Sequence, residues 1–267
     1  MEELITSAQN PKIKHAVRIR QSKRKRDACG EFLLEGARLC ADAAASGTVI
    51  KEAFITEDAE QKYPDHVGMI LSGARSVYRI SADVSEKLAD TQSPQGVFCV
   101  CSSVDRLCHL DTIDGGFDTN GAYIAFENLQ DPGNLGAAAR TAEAFGLSGM
   151  IVSGGADIFS PKAQRAAMGA LLRLRVFAAD DLPALLKSAV SAGMNVYAAL
   201  PAEGAVPVTE IRSRPGGIIA VVGNEGAGLS GEVTGACAHS VTIPMRGRAE
   251  SLNAAEAAAV IMWEMVR

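Results

Sequence analysis

The stretch that decides the fold is the last one: residues 241–267 read VTIPMRGRAESLNAAEAAAVIMWEMVR. β-Branched and apolar residues alternate over residues 241–245, which predicts a short buried strand. Residues 246–252 are polar and predict a loop. Asn253 stands three residues before Glu256, the spacing of a capping box, so a helix is expected to begin there with backbone N–H groups directed into the loop.

The first turns of the predicted helix carry five small residues, which let another backbone approach closely: Ala254, Ala255, Ala257, Ala258 and Ala259. A strand, a polar loop and a capped helix in this order can hold a small ligand by main-chain groups.

Two upstream segments repeat the pattern. ENLQDPGNLGAAARTAEAFG (127–146) and IIAVVGNEGAGLSGE (218–232) each run from an apolar strand into a Gly-rich or Pro-Gly turn and then a helix. Together with IPMRGRAESLN, in this order, they resemble the three signature motifs of the SpoU-type (TrmH-like) RNA ribose 2′-O-methyltransferases of the SPOUT superfamily. The resemblance spans Gly121 to the C-terminus. It implies S-adenosyl-L-methionine as cofactor, RNA as substrate, a homodimer, and a C-terminal segment threaded as a deep trefoil knot.

The hydrophobic pattern predicts an α/β protein with two domains. Residues 1–104 form a smaller α/β unit, 105–120 lose their periodicity and predict a linker, and 121–267 form the second domain. Six short apolar strands separated by helical patterns predict a parallel sheet with helices on both faces there: AYIAFE, GMIVSG, RLRVFAA, MNVYAAL, GIIAVVG and VTIPM.

The N-terminus is strongly basic, although the whole chain has a net charge of −5. Asn10-Pro11 opens a predicted helix over residues 12–26, and the first 26 residues hold eight Lys or Arg against two Glu. This asymmetry is typical of a protein that contacts a polyanion through one surface, while a solvated charged helix face is the alternative. The expected RNA contacts are Lys12, Lys14, Arg18, Lys23 and Arg24.

The first domain also carries a resemblance. Its beginning looks like the substrate-binding domain that precedes the catalytic domain in many SpoU-type enzymes, through Ser7, Asn10, Phe32, Glu35 and Gly36. Ser160-Pro161-Lys162 resembles a family segment that approaches RNA, so Lys162 joins the expected contacts. The RLR that follows at 173–175 departs from the family pattern and leaves the identity of the RNA open.

The resemblance also implies a cofactor pocket. By motif position its residues are Leu200, Gly223, Ile243, Met245 and Leu252. Gly223 has no Cβ, so the main chain there is expected to approach the ligand closely. The same loop contains GxGxxG (226–231), a dinucleotide fingerprint, but the chain that follows is too short for a dinucleotide-binding domain.

Five polar residues are the catalytic candidates that the motifs imply: Asn134, Arg140, Glu225, Ser251 and Asn253. We expect Asn134 to cap a helix and Arg140, about one and a half turns in, to bind a phosphate and the attacking 2′-oxygen. Guanidinium resists deprotonation, so the destination of the proton stays open. Asn253 is explained equally well as a helix cap and as a substrate contact.

The remaining features narrow the protein class. The six cysteines have neither metal-ligand nor secreted-disulfide spacing, so we expect no metal; a zinc set of Cys99, Cys101, Cys108 and His109 is the alternative. The sequence shows no apolar signal region and no long apolar run, which predicts a cytoplasmic protein with no membrane partner. The resemblance implies an S-adenosyl-L-methionine-dependent 2′-O-methyltransferase that acts on RNA rather than DNA, and the additional N-terminal domain favours ribosomal over transfer RNA. The alternative is a catalytically silent RNA-binding protein.

Overall fold

The computed structural model describes residues 4–103, 107–110, 112–113, 117–201, 204–211, 215–249 and 251–267. The chain forms two compact units. Unit 1 comprises Met1–Arg106 and Asp157–Arg173, and unit 2 comprises Leu107–Ala156 and Leu174–Arg267. The sequence-based boundaries at 104 and 121 stay a prediction.

The strands are β1 (Leu4–Ile5), β2 (Glu31–Glu35), β3 (Ile50–Ile55), β4 (Val77–Ile80), β5 (Val97–Ser102), β6 (Leu107–His109), β7 (Ala122–Glu127), β8 (Gly149–Ser153), β9 (Val176–Ala178), β10 (Asn195–Ala199), β11 (Val206–Pro207), β12 (Ile218–Val222) and β13 (His239–Thr242). The α-helices are α1 (Pro11–Gln21), α2 (Lys23–Cys29), α3 (Ala37–Ala45), α4 (Glu57–Lys62), α5 (Pro64–Gly73), α6 (Ala82–Leu88), α7 (Pro132–Ala144), α8 (Pro161–Ala167), α9 (Leu182–Ser191), α10 (Gly231–Ala236) and α11 (Ala254–Val266). Within the described residues, none of these helices has the length and apolar character needed to cross a membrane.

Unit 1 is built on a mixed five-stranded sheet in the order β1-β4-β3-β5-β2. Strands β2 and β3 are antiparallel to β5, and β1 and β3 are parallel to β4. Helix α1 covers this sheet through Ile13 and Ile19, which are fully buried beside Phe54 and Phe98. The predicted apolar stripe of the basic segment is therefore part of the core.

The basic segment is two helices, so the prediction of one helix over residues 12–26 is wrong. Ser22 interrupts it in an extended conformation, with φ −133° and ψ 115°, and its Oγ accepts the backbone N–H of Lys25 at 3.4 Å. A serine hydroxyl in this position satisfies a free donor of the new helix α2. Asn10 caps α1 in the same way through the N–H of Lys12.

A short excursion of the chain, Asp157–Arg173, packs within unit 1 although it lies inside the stretch predicted as the second domain. The ring of Phe159 contacts that of Phe32 with centroids 4.8 Å apart. The carboxylate of Asp157 pairs with the guanidinium of Arg26 at 2.7 Å, and both side chains are at least nine-tenths buried. Arg26 also donates to the carbonyls of Ile19 and Arg20, so its donors are satisfied.

Unit 2 contains an eight-stranded sheet in the order β11-β13-β10-β12-β7-β8-β9-β6. Every pairing in it is parallel, which confirms the predicted sheet type. Two edge strands were not predicted: β6, which falls in the expected linker, and β11. Both are only two or three residues long, and strands this short leave little periodic signal.

The last strand is displaced from its prediction over residues 241–245. It begins at His239, which pairs with Tyr197, and ends at Thr242. Strand β10 ends at Ala199, opposite Val241, and β11 ends at Pro207, opposite Thr242. Ile243 and the residues after it therefore have no neighbouring strand to pair with and enter the loop.

The helices of unit 2 bury the sheet. Helices α9 and α10 pack on the face that presents Tyr123, Ile219 and Val221. Helix α11 packs against α7 and against strands β7 and β12. Successive side chains of a strand point to opposite faces, so a strand covered in this way is apolar throughout, as β12 is.

Removal of Asp157 tests the buried pair. We expect Asp157→Ala to destabilise the protein by about 3 kcal/mol, because it leaves the guanidinium of Arg26 buried without its counter-charge. Urea unfolding followed by circular dichroism measures the loss. The matched control is Asp27→Ala, which breaks the exposed pair with Lys23 and should cost about 0.5 kcal/mol or less. Equal losses of unfolding free energy in the two variants would contradict the assignment of Arg26–Asp157 as a buried ion pair.

Candidate functional site

A cavity of about 680 Å³ opens where β10, β12 and β13 end at the carboxyl edge of the unit 2 sheet. Its size is in the usual range for small-molecule sites, and crevices beyond the carboxyl ends of parallel strands are where α/β sheets bind ligands. The five predicted cofactor residues all line it: Leu200, Gly223, Ile243, Met245 and Leu252. Of the five catalytic candidates, Glu225, Ser251 and Asn253 line it as well.

The glycine loop after β12 forms one wall. Asn224 and Gly228 exchange two backbone hydrogen bonds of 3.0 Å, which close residues 224–228 into a tight loop. A Cβ on Gly223 would lie 2.3 Å from the carbonyl carbon of Gly228 and 2.5 Å from the nitrogen of Leu229. The glycine is therefore required by the packing of the loop on itself. The expectation that it also allows close approach of a ligand stays a prediction.

Glu225 connects this loop to the segment before α7. Its carboxylate accepts the backbone N–H of Gln130 at 3.1 Å and of Asp131 at 3.3 Å. It also accepts the side-chain amide of Asn134 at 3.1 Å. Three donors from one short stretch of chain converge on a single carboxylate, and charge-assisted bonds of this kind are stronger than neutral ones.

The pKa of Glu225 reflects these contacts. Partial burial alone would raise it, but the N–H groups of its own backbone and of Gln130, together with the amide of Asn134, hold the pKa below its ordinary value. The folded protein therefore favours the ionised form.

The expectation that Asn134 caps its helix is wrong. Helix α7 begins two residues earlier, and its cap is Asp131, whose Oδ1 accepts the N–H of Gly133 at 2.7 Å. The side chain of Asn134 is left to bridge two loops: its Nδ2 donates to Glu225, and its Oδ1 accepts the Nδ2 of Asn253 at 3.1 Å.

Asn253 caps its helix and also bonds to Asn134, and its role as a substrate contact stays a prediction. Its Oδ1 caps α11 by accepting the N–H groups of Ala255 at 2.9 Å and Glu256 at 3.4 Å. Its amide nitrogen donates to Asn134. The side chains of Glu225, Asn134 and Asn253 thus form one hydrogen-bonded chain that joins the three motif loops. Ser251 is exposed beside it and lines the cavity.

Arg140 stands apart from the cavity of its own chain. Because α7 begins at Pro132, Arg140 lies about two turns into the helix, further than predicted. Its side chain is exposed and, among the residues that the structure describes, has no hydrogen-bond or ion-pair partner. A solvated guanidinium of this kind is available to an external anion.

Four of the eight N-terminal cations have intramolecular partners. Lys12 pairs with Glu52, whose hydrogen bond raises the pKa of the lysine, and Lys23 pairs with Asp27. Arg20 donates to the carbonyls of Leu88 and Ala89 at the end of α6, and Arg26 is buried. Among the described residues the other four have no such partner and are exposed: Lys14, Arg18, Arg24 and Lys25. Lys162 is also exposed, on α8.

Sequence reasoning missed Asn224 and Asn128. Asn224 places its side chain between the two loops, and Asn128 adopts a left-handed conformation with φ 52° directly after β7. An asparagine just after a strand is the signal for both features: Asn tolerates the left-handed region, as at Asn128, and its side chain bonds to the backbone two residues on, as Asn224 does to Gly226.

The four residues of the alternative zinc set belong to different sheets. Cys99 and Cys101 are buried in β5, and Cys108 and His109 lie on β6. Within the described part of the chain, His15, Cys29 and Glu31 place possible ligand atoms within 4.8 Å of one another. Glu31 already holds Lys51 and His15 there at 2.6 Å each, which makes the group an ion-pair cluster.

The family model for the SpoU rRNA methylases matches residues 121–263, which include all three motif loops. The chain belongs to the SpoU rRNA methylase family. A second model, for an MRM3-like substrate-binding domain, matches residues 10–99 of this SpoU-family protein. The resemblances seen in both parts of the sequence are thereby confirmed.

Relatives extend over the whole chain. The 23S rRNA (guanosine(2553)-2′-O)-methyltransferase RlmP of Bacillus subtilis is 30% identical over 98% of both chains. An AdoMet-bound rRNA methyltransferase from Sinorhizobium meliloti superposes with a TM-score of 0.84 at 28% identity, covering 98% of this chain and 97% of the other. The SpoU methyltransferase AviRb from Streptomyces viridochromogenes, in complex with AdoMet, gives 0.81 at 26% identity, covering 97% of each.

The lowered pKa of Glu225 predicts the acid stability of the loop junction. Because the folded pKa is depressed, the three hydrogen bonds persist above the unfolded value and are lost as pH falls through the folded pKa. We expect the amide resonances of Gln130 and Asp131, followed by NMR, to titrate with a midpoint below the ordinary 4.5 of a glutamate. In Glu225→Gln this titration should vanish. A midpoint at or above 4.5 would contradict the three hydrogen bonds to an ionised Glu225 carboxylate.

Proposed function

We propose that this protein transfers the methyl group of S-adenosyl-L-methionine to a ribose 2′-oxygen in ribosomal RNA. The observation that carries the proposal is the hydrogen-bonded junction of Glu225, Asn134 and Asn253 at the mouth of the cavity. Two of its relatives are named as 23S rRNA 2′-O-methyltransferases, and two similar structures contain AdoMet.

The cavity suits this cofactor by its lining. Leu200, Ile243, Met245 and Leu252 supply apolar walls, and the loop around Gly223 supplies main-chain groups. A mostly apolar pocket with a few placed polar groups is what a heterocyclic ligand requires. When bound, S-adenosyl-L-methionine supplies a methyl group on a sulfonium sulfur.

The protein's own residues position the acceptor. The guanidinium of Arg140 binds the phosphate next to the target ribose and the attacking oxygen, which aligns that oxygen for transfer. Arginine stays protonated, so it stabilises developing negative charge without accepting the hydroxyl proton. Glu225, Asn134 and Asn253 keep the three loops in register, and Ser251 contributes a hydroxyl at the same mouth.

Arg140→Ala separates binding from chemistry. We expect cofactor affinity within about threefold of wild type and a fall in kcat of at least about 100-fold, because the lost donor acts on the transition state. Calorimetry measures the cofactor affinity. Transfer of tritiated methyl into purified 23S, 16S and transfer RNA measures kcat. Thr141→Ala, on the same helix, is the control. Wild-type protein that binds RNA and cofactor yet labels none of these RNAs would instead be the catalytically silent binder.

Among the residues that the structure describes, four N-terminal cations have no intramolecular partner, and we assign the RNA-binding surface of unit 1 to them: Lys14, Arg18, Arg24 and Lys25. Lys12 and Lys23, also predicted as contacts, would have to exchange Glu52 and Asp27 for phosphates. Lys162 on α8 is assigned to RNA as well. Lys14 and Arg18 lie on α1, whose apolar side is part of the core, and Arg24 and Lys25 lie on α2, where Arg26 is buried.

Replacing these four cations by glutamine tests the assignment. The slope of log K for single-stranded RNA against log salt should become shallower by roughly 0.7 × 4, or about 3. Substitution is required, since deletion of the segment would remove Ile13 and Ile19 from the core. A charge-matched control replaces four exposed cations of unit 1 elsewhere: Arg38, Lys62, Arg75 and Lys87. An equal change in both quadruple variants would argue against a specific surface.

We further propose that the protein is a homodimer with the knotted C-terminal segment of its family, and that Arg140 serves the cavity of the other chain. Two observations support this proposal. Arg140 does not line the cavity of its own chain, and α11 has an apolar surface. Trp263 is 51% exposed and Val260 38%, and the Trp263 ring contacts Phe145 at the end of α7. A ribosomal substrate would place the protein in the cytoplasm, away from membranes and DNA.

Mixed dimers test the shared site. Arg140→Ala should bind cofactor without transferring methyl, and Gly223→Val should lose cofactor because its side chain displaces the backbone at Gly228. Each homodimer is then inactive. After co-refolding, about half the dimers are mixed, and each of these holds one site without either lesion, so activity should return to roughly a quarter of wild type. Activity that stays at background would show that Arg140 acts within its own chain.

A further inference from the structure

Asn224 links the cofactor loop to the turn that precedes α7. Its side-chain Oδ1 accepts the N–H groups of Gly226 at 2.8 Å and Ala227 at 2.9 Å. Its Nδ2 donates to the backbone carbonyl of Asn128 at 2.8 Å. Two N–H donors require the oxygen and the carbonyl requires the amide, so a single orientation of the side chain satisfies all three partners.

On one side, this amide shapes the cavity wall. Gly226, Ala227 and Gly228 all line the cavity, and the main chain of Asn224 also bonds Gly228 in both directions. The Oδ1 therefore completes a closed loop whose N–H groups are satisfied internally. None of these bonds depends on the side-chain Nδ2.

On the other side, the amide holds a strained residue. Asn128 has φ 52°, a conformation that costs a residue with a side chain free energy unless its surroundings impose it. Its N–H donates to Ser153 at 2.8 Å, and its carbonyl accepts both Asn224 Nδ2 and Gln130 Nε2. This bend sets the direction of the chain into α7, which carries Asn134 and Arg140.

We propose that Asn224 is a positioning residue that aligns the start of α7, which carries Asn134, with the cofactor loop. The inference rests on the proposed methyl transfer for its consequence. It acts through Asn128 and touches no reacting atom. Glu225 joins the same two segments beside it through oxygens that only accept, whereas Asn224 divides its two tasks between an oxygen that accepts and a nitrogen that donates.

This separation permits a sharp test with Asn224→Asp. The carboxylate keeps an oxygen for Gly226 and Ala227, but it has no donor for the Asn128 carbonyl and places a second oxygen against it. Affinity for S-adenosylhomocysteine should stay within about threefold, while kcat falls about 100-fold, the scale expected for a misplaced acceptor. The amides of residues 129–131 should exchange with deuterium faster, and those of Gly226 and Ala227 should stay protected.

The matched control is Asn195→Asp. Asn195 Nδ2 also donates to a backbone carbonyl, that of Pro215 at 2.8 Å, but it lies at the start of β10, away from the carboxyl edge. Its kcat should stay at the wild-type value. Unchanged kcat in Asn224→Asp, or loss of cofactor affinity in step with kcat, would overturn the inference. If the wild-type protein transferred no methyl, the proposed function would fail, and the exchange pattern would still decide the role of Asn224.

Discussion

The carboxylate of Glu225 is the contact on which the arrangement of unit 2's cavity depends. It receives three donors from the start of α7, and one of these, Asn134, passes the connection on to Asn253 at the start of α11. The backbone N–H groups of Gln130 and Asp131, just before α7, find their acceptor in another loop, so two loops and two helices are held in one geometry before any ligand arrives.

The parallel sheet makes this junction possible. Because β7, β12, β10 and β13 are neighbours with all pairings parallel, the loops that follow them leave the same edge. Residues from three distant parts of the sequence, near positions 134, 225 and 253, meet there. The Gly223 backbone packs against Gly228 so closely that the loop has little freedom, and preorganised groups avoid reorganisation during reaction.

Much of this could be predicted because the signals are local. Strand and helix order, the Asn253 cap and the cavity-lining positions follow from apolar runs, a capping spacing and motif order. The predictions fail where residues that are distant in the sequence determine the local structure. Asp131 and Asn134 are both able to cap α7, but the side chain of Asn134 bonds instead to Glu225 and Asn253, which lie over ninety positions away. The break at Ser22 and the packing of Asp157–Arg173 within unit 1 depend on Arg26 and Phe32 in the same way.

We propose that the junction at Glu225 directs methyl transfer to ribose. The protein is incubated with ribosomal RNA and S-adenosylmethionine carrying a deuterated methyl group, and the RNA is digested to nucleosides, which are fragmented by mass spectrometry. We expect the mass label to stay with the ribose fragment, as a 2′-O-methyl nucleoside. A label that stays with the base fragment would contradict it.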